Sequence, residues 1–102
     1  MLGPITMSAA ETFSQELMGR TPHITTIGEN TQGLLGEYLT RHLTNGWTFS
    51  VSNSVSRTPD GRMFEVLGIP PDVQKPVFAD DDVAAGMDPA LTMAMHIFAD
   101  KN

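Results

Sequence analysis

Ser8 stands in Thr6-Met7-Ser8-Ala9-Ala10-Glu11-Thr12-Phe13, where an apolar lead-in passes into an amphipathic helix. A serine at that junction lies among backbone N–H groups that have no helical partner, at the positive end of the helix dipole. The setting suits a nucleophile whose reaction passes through an oxyanion, because neighbouring amides can bind the developing charge. Ser8-x-x-Glu11 is also the pattern of a capping box, in which the serine accepts from a backbone amide and the glutamate reaches back to the cap. The two readings of Ser8 part only on the rest of the chain.

The elements around Ser8 follow from pattern. Residues 1–7 read as the tail of a strand or a loop, broken at Gly3-Pro4. Ala10, Phe13, Leu17 and Met18 recur at helical spacing and predict one buried stripe. Gly19 and Pro22 end that helix. His23-Ile24-Thr25-Thr26-Ile27 reads as a β-branched strand closed by Gly28, so strand–helix–strand forms the seed of a parallel sheet. Gly28-Glu29-Asn30-Thr31-Gln32-Gly33-Leu34-Leu35-Gly36 is a glycine-punctuated loop without the lysine and hydroxyl residue of a phosphate-binding loop.

Two hairpins come next. Leu39, Arg41 and Leu43 alternate with polar residues, as do Trp47, Phe49 and Val51. A two-residue Asn45-Gly46 turn would set the two apolar rows on opposite faces. A three-residue loop, Thr44-Asn45-Gly46, with glycine left-handed, pairs Leu43 with Trp47 and Leu39 with Val51, and the apolar pattern selects it. Thr58-Pro59-Asp60-Gly61-Arg62 predicts a second hairpin joining Val55–Arg57 to Met63–Glu65. Gly68-Ile69-Pro70-Pro71-Asp72 reads as a rigid extended turn. The adjacent carboxylates Asp80, Asp81 and Asp82 point in different directions and read as a helix start rather than a metal site. Asp88-Pro89 caps a last helix whose predicted apolar face is Leu91, Ala94, Met95 and Phe98.

Composition bounds the function. The 102 residues make one domain at most, with a net charge of −6. Only six basic residues occur, scattered along the chain, which argues against a nucleic-acid partner. The absence of cysteine excludes a disulfide framework, a thiolate nucleophile and a Cys-based metal site. No transmembrane run or signal-peptide pattern is present. Nothing in the residues calls for a cofactor.

Taken in order, Ser8-Ala9-Ala10-Glu11, Ile27-Gly28-Glu29-Asn30-Thr31-Gln32-Gly33, Leu43-Thr44-Asn45-Gly46-Trp47, Thr58-Pro59-Asp60-Gly61-Arg62 with Glu65, and Gly68-Ile69-Pro70-Pro71-Asp72 resemble the tail-specific, or C-terminal processing, serine peptidases. The resemblance covers most of residues 3–98 and matches the C-terminal part of that family's catalytic domain. It implies an α/β fold with a partial ClpP/crotonase-like spiral core, made here of a β-α-β unit, two β-hairpins and a C-terminal helix. It further implies Ser8 as nucleophile and the Ala9 amide in the oxyanion hole.

Many members carry a general-base lysine after the Gly-Glu-x-Thr segment, where this chain has Leu34, so a Ser–Lys mechanism is not expected. The branch that includes tricorn protease uses serine, a histidine from an earlier segment and a glutamate, and Glu65, 57 positions after Ser8, matches that glutamate. A neutral imidazole would take the Ser8 proton while a carboxylate orients the site. Of the histidines present, His23, His42 and His96 read as surface residues. A diagonal ion pair with Arg57 is the other reading of Glu65. Gln32 and Gly33, with Asn30, either bind substrate backbone or hold the loop.

The resemblance implies a serine-type endopeptidase acting on peptide or protein chains, with residues 1–102 as one part of its catalytic domain and little activity in isolation. Self-association, or association with the absent upstream part, is expected from uncovered strand edges and apolar surface. A periplasmic or secreted location is suggested by the resemblance alone. The competing reading is a non-catalytic module on the same fold, similar to interphotoreceptor retinoid-binding proteins, whose apolar ligands Met and Phe side chains could line.

Overall fold

The computed structural model describes residues 1–100. Three parallel segments form its centre. Leu2 bridges Gly28 of β1 (Ile27–Gly28), and β1 pairs on its other side with the strand Val73–Gln74. Helix α1 (Ala9–Leu17) is the crossover between Leu2 and β1, so the β-α-β unit is present in short form. The hairpin strands β2 (Tyr38–His42) and β3 (Thr48–Ser52) separate β1 from β4, which is Val73–Gln74. Helices α2 (Asp80–Ala84) and α3 (Pro89–Ala99) follow. The core cluster is small: Leu2, Leu35, Phe64 and Ile69, with Met18 packed against it.

The first hairpin has the expected register. Leu39 pairs with Val51 and Arg41 with Phe49, Leu43 N–H donates to Trp47 O at 2.7 Å, and Gly46 has φ +85°. The second shrinks to a single antiparallel bridge, Arg57 to Met63. Beyond it Phe64 turns into the core, and Val66 N–H donates to Gly33 O at 2.7 Å, so the chain leaves the ladder. The strand expected over residues 23–27 is confined to Ile27–Gly28. There the Thr26 N–H and hydroxyl both donate to the Asp72 carboxylate, at 2.7 and 2.9 Å, in place of a ladder partner. Asp88 caps α3 as expected, accepting from Leu91 N–H at 2.8 Å.

Both predicted helix stripes are mostly exposed, although Leu17 and Met18 at the end of the first are half-buried and Met18 packs on the core. In α1 the buried residues are Glu11, Ser14 and Gln15, while Phe13 is 65% exposed. Polar partners explain the buried face. Loop amides surround Glu11, the Ser14 hydroxyl donates to Ala10 O at 2.8 Å, and Gln15 Oε1 accepts from Ser56 at 2.7 Å. In α3 the buried residue is Ala90, and Leu91, Met95 and Phe98 are exposed. The apolar row of the hairpin is likewise uncovered, with Trp47 72% exposed. The molecule is a slab of 59 × 38 × 17 Å with a radius of gyration of 17.0 Å, whereas a compact 100-residue domain has about 13 Å.

Candidate active site

Ser8 begins α1 in an unusual backbone state, φ +54° and ψ −124°. An ordinary helix cap has β-region angles. A non-glycine residue in the positive-φ region costs on the order of 1–3 kcal/mol and persists only where its surroundings impose it. Two contacts do so here. The Ser8 N–H lies 3.0 Å from Leu34 O and 3.1 Å from Glu11 Oε2. The Ser8 carbonyl accepts from Glu11 N–H at 2.9 Å and Thr12 N–H at 3.0 Å, which starts the helix directly behind the serine. Glu11 thus reaches back to the Ser8 N–H as in a capping box, but the cap residue sits on a strained positive-φ turn.

Ser8, Ala9 and Thr12 form one wall of an open groove, and Leu35, Gly36, Glu37 and Tyr38 form the other. Among the described residues no acceptor takes the Ala9 N–H, which stands at the positive end of α1. A free amide next to an exposed serine is the arrangement that can hold an oxyanion.

Glu11 is the most enclosed side chain, with 0% exposure. Besides Ser8 N–H, its Oε2 accepts from Leu34 N–H at 2.8 Å. Its Oε1 accepts from Gly33 N–H at 2.6 Å and from the Thr31 hydroxyl at 2.5 Å. Thr31 Oγ1 in turn accepts from Ile69 N–H at 2.7 Å. The Ser8 turn, the 31–34 loop and the Gly68-Ile69 turn are thus bonded through one carboxylate. Close packing at the two glycines completes the joint. A Cβ at Gly68 would stand 2.0 Å from Thr31 O, and one at Gly33 2.7 Å from the Val66 carbonyl carbon.

Glu65 is half-buried and holds the far wall. Its Oε2 accepts from Gly36 N–H at 2.8 Å and Leu35 N–H at 3.2 Å. The diagonal ion pair with Arg57 does not form; Arg57 donates instead to Gly61 O at 3.3 Å. Gln32 is exposed and its N–H donates to Thr6 O at 2.9 Å. The Gly33 amide is committed to Glu11 and Gly33 is absent from the groove lining. Asn30 Nδ2 donates to Leu67 O at 3.4 Å and its Oδ1 accepts from Gln74 at 3.2 Å, so it ties the loop to its neighbours.

No imidazole or amine lines the groove among the described residues. Leu34, at the position of the lysine in the Ser–Lys pattern, has an exposed side chain. His23 lies 3.7 Å from Asp72 in a separate cavity behind α1, and His96 lines another at the start of α3. Lys101 lies outside the described residues. No group of acidic or imidazole side chains among the described residues could hold a metal ion, and no helix there is long and apolar enough to cross a membrane. Sequence reasoning missed the reach of Glu11 and the part of Thr31. The capping-box pattern ties Glu11 to Ser8, but no local signal links it to a loop that begins 20 residues away.

The fold is mixed α/β, and Ser8 is an exposed serine on a positive-φ turn into α1. The sequence profile of peptidase family S41 matches residues 1–75. The chain belongs to peptidase family S41. Its structure is similar to that of a protein of Parabacteroides merdae assigned as a peptidase, with 26% identity and a TM-score of 0.72 over 90% of this chain and 28% of that one. It is also similar to mature CPAF, solved in complex with lactacystin, with 22% identity and a TM-score of 0.69 over 81% of this chain and 16% of that one. The chain thus spans well under a third of the length of either solved chain. No curated protein matches it.

Proposed function

We propose that this chain is the nucleophile-bearing part of a serine-type endopeptidase of the C-terminal processing kind. The carrying observation is the Ser8 backbone at φ +54°, held on a groove beside the free Ala9 amide. In this reading Ser8 Oγ attacks the carbonyl carbon of an extended peptide and its proton passes to a base. The Ala9 N–H binds the resulting oxyanion. Collapse expels the amine, which leaves with the proton from that base, and water then hydrolyses the ester at Ser8. Glu65 keeps the opposite wall in place through Leu35 and Gly36; Gly33 acts from behind the groove, through Glu11; exposed Gln32 is left to meet the substrate.

The base comes from outside the groove described above, as a histidine of an earlier catalytic-domain segment. Peptide hydrolysis by residues 1–102 alone is therefore expected to stay at background. With the upstream segments joined to the chain, hydrolysis is expected, and Ser8→Ala should lower kcat on the order of 10⁴-fold or more. Activity in the short chain that Ser8→Ala abolishes would contradict the divided site. Activity in the longer chain that is indifferent to Ser8→Ala would overturn the assignment of the nucleophile. Absence of hydrolysis in both, with an apolar ligand bound, would favour the binding module.

A further inference from the structure

The buried Glu11 carboxylate has no part in the bond chemistry above, yet among the described residues it is the only side chain bonded both to the Ser8 backbone and to the loop behind it. We infer that Glu11 is the positioning residue of the site: it holds Ser8 in its positive-φ conformation by fastening the Ser8 amide to the Gly33-Leu34 backbone. This inference rests on Ser8 being the nucleophile for its meaning in catalysis, but its geometry stands apart from that assignment.

The donor set makes the demand specific. Four donors meet the two oxygens: Ser8 N–H, Leu34 N–H, Gly33 N–H and the Thr31 hydroxyl. A carboxylate is the one side chain of this length that offers acceptors on both branches. The Ser8 N–H is shared between Glu11 and Leu34 O, and Glu11 also binds Leu34 N–H, so Glu11 and the Leu34 peptide grip the serine together. A plain capping-box glutamate serves only its own helix and stays near the surface. Glu11 is fully enclosed and spends three of its four bonds on residues 31–34. Ala9 follows directly in the chain, so the direction of its free N–H is set by the same grip.

Glu11→Gln tests this by NMR on the 102-residue chain. The glutamine amide places a donor against donors on one branch. The expected result is a selective one: Ser8 Cα and Cβ shifts move out of the positive-φ range, and amide exchange at Ser8, Gly33 and Leu34 quickens at least tenfold. The β2–β3 and α3 amides keep their wild-type rates. A carboxylate that merely stabilises the fold would speed exchange everywhere and leave the Ser8 shifts in place, which overturns the inference. Glu11→Asp retains acceptors on a shorter arm and should restore Gly33 protection without Ser8 protection; restoration of neither contradicts the proposed division of the grip.

Wild type alone supplies a check that needs no folded variant. Its Ser8 amide must exchange as slowly as that of Lys75, which donates to Gly28 O at 2.8 Å. Fast exchange at Ser8 overturns the inference. These readouts need no activity, so an absence of peptidase function removes the catalytic meaning of Ser8 and leaves the positioning result intact.

Discussion

Ser8 is the residue at which the proposed function and stability pull apart. Its φ of +54° is a conformation that glycine adopts freely and other residues do not. Ser8→Gly and Ser8→Ala both remove the hydroxyl, but only the first relieves the backbone. Ser8→Gly is therefore expected to unfold about 1 kcal/mol less readily than Ser8→Ala, the relief of strain exceeding the extra chain entropy of glycine. Denaturant titration of the pair measures this. Equal midpoints, or a more stable alanine variant, would mean that Ser8 is an unstrained cap. At this scale the sequence was informative about types more than partners. Ser8, Ala9 and Glu11 were legible because their signal lies within four residues. The bonds from Glu11 to Thr31, Gly33 and Leu34 were not, because a carboxylate's partners across a fold leave no periodicity.

At the scale of elements, turn chemistry proved readable and burial did not. The register of β2 and β3 followed from matching apolar rows across Thr44-Asn45-Gly46. The helix stripes stayed mostly exposed because periodicity reports that a face is apolar, not which neighbour is there to cover it. A further element-level joint is Asp72, which fastens the Gly-Ile-Pro-Pro-Asp turn to Thr26. The Thr26 backbone N–H donates to its carboxylate, with smaller help from the Thr26 hydroxyl and from His23, and holds the Asp72 carboxyl below the ordinary aspartate value of 3.8. A depressed carboxyl contributes stability that is complete above the unfolded value and is lost as pH falls through the folded one. Stability should thus be insensitive to Asp72 between pH 5 and pH 8 and decline below about pH 4. Asp72→Asn should cost roughly 1 kcal/mol at neutral pH, since the group is partly exposed. It should also flatten the acid limb of the stability curve. An unchanged acid limb in Asp72→Asn would show that another carboxylate controls it.

For the whole molecule, the slab shape sets apolar side chains of α1, α3 and the hairpin on the outside. Phe13, Trp47, Met95 and Phe98 are all more than 60% exposed. Surface of that kind drives association, while a net charge of −6 opposes it. Salt screens the repulsion and leaves the apolar attraction, so self-association is expected to strengthen from low to high ionic strength. Sedimentation velocity across a salt series reads this; a monomer at every salt and at high protein concentration would contradict it. The same geometry explains why the fold class was legible while the compactness of the core was not: periodicity marks apolar residues in each element, whereas only Leu2, Leu35, Phe64 and Ile69 gather into a core cluster among the described residues.

The most direct test of the account is fluorophosphonate labelling with peptide mapping, applied to this chain and to a longer chain that restores the upstream catalytic-domain segments. Label is expected on Ser8 in the longer chain and none in the shorter, because no imidazole or amine lines the Ser8 groove among the described residues. Labelling of neither chain, or of a residue other than Ser8, would contradict the claim that Ser8 is the nucleophile of this family member.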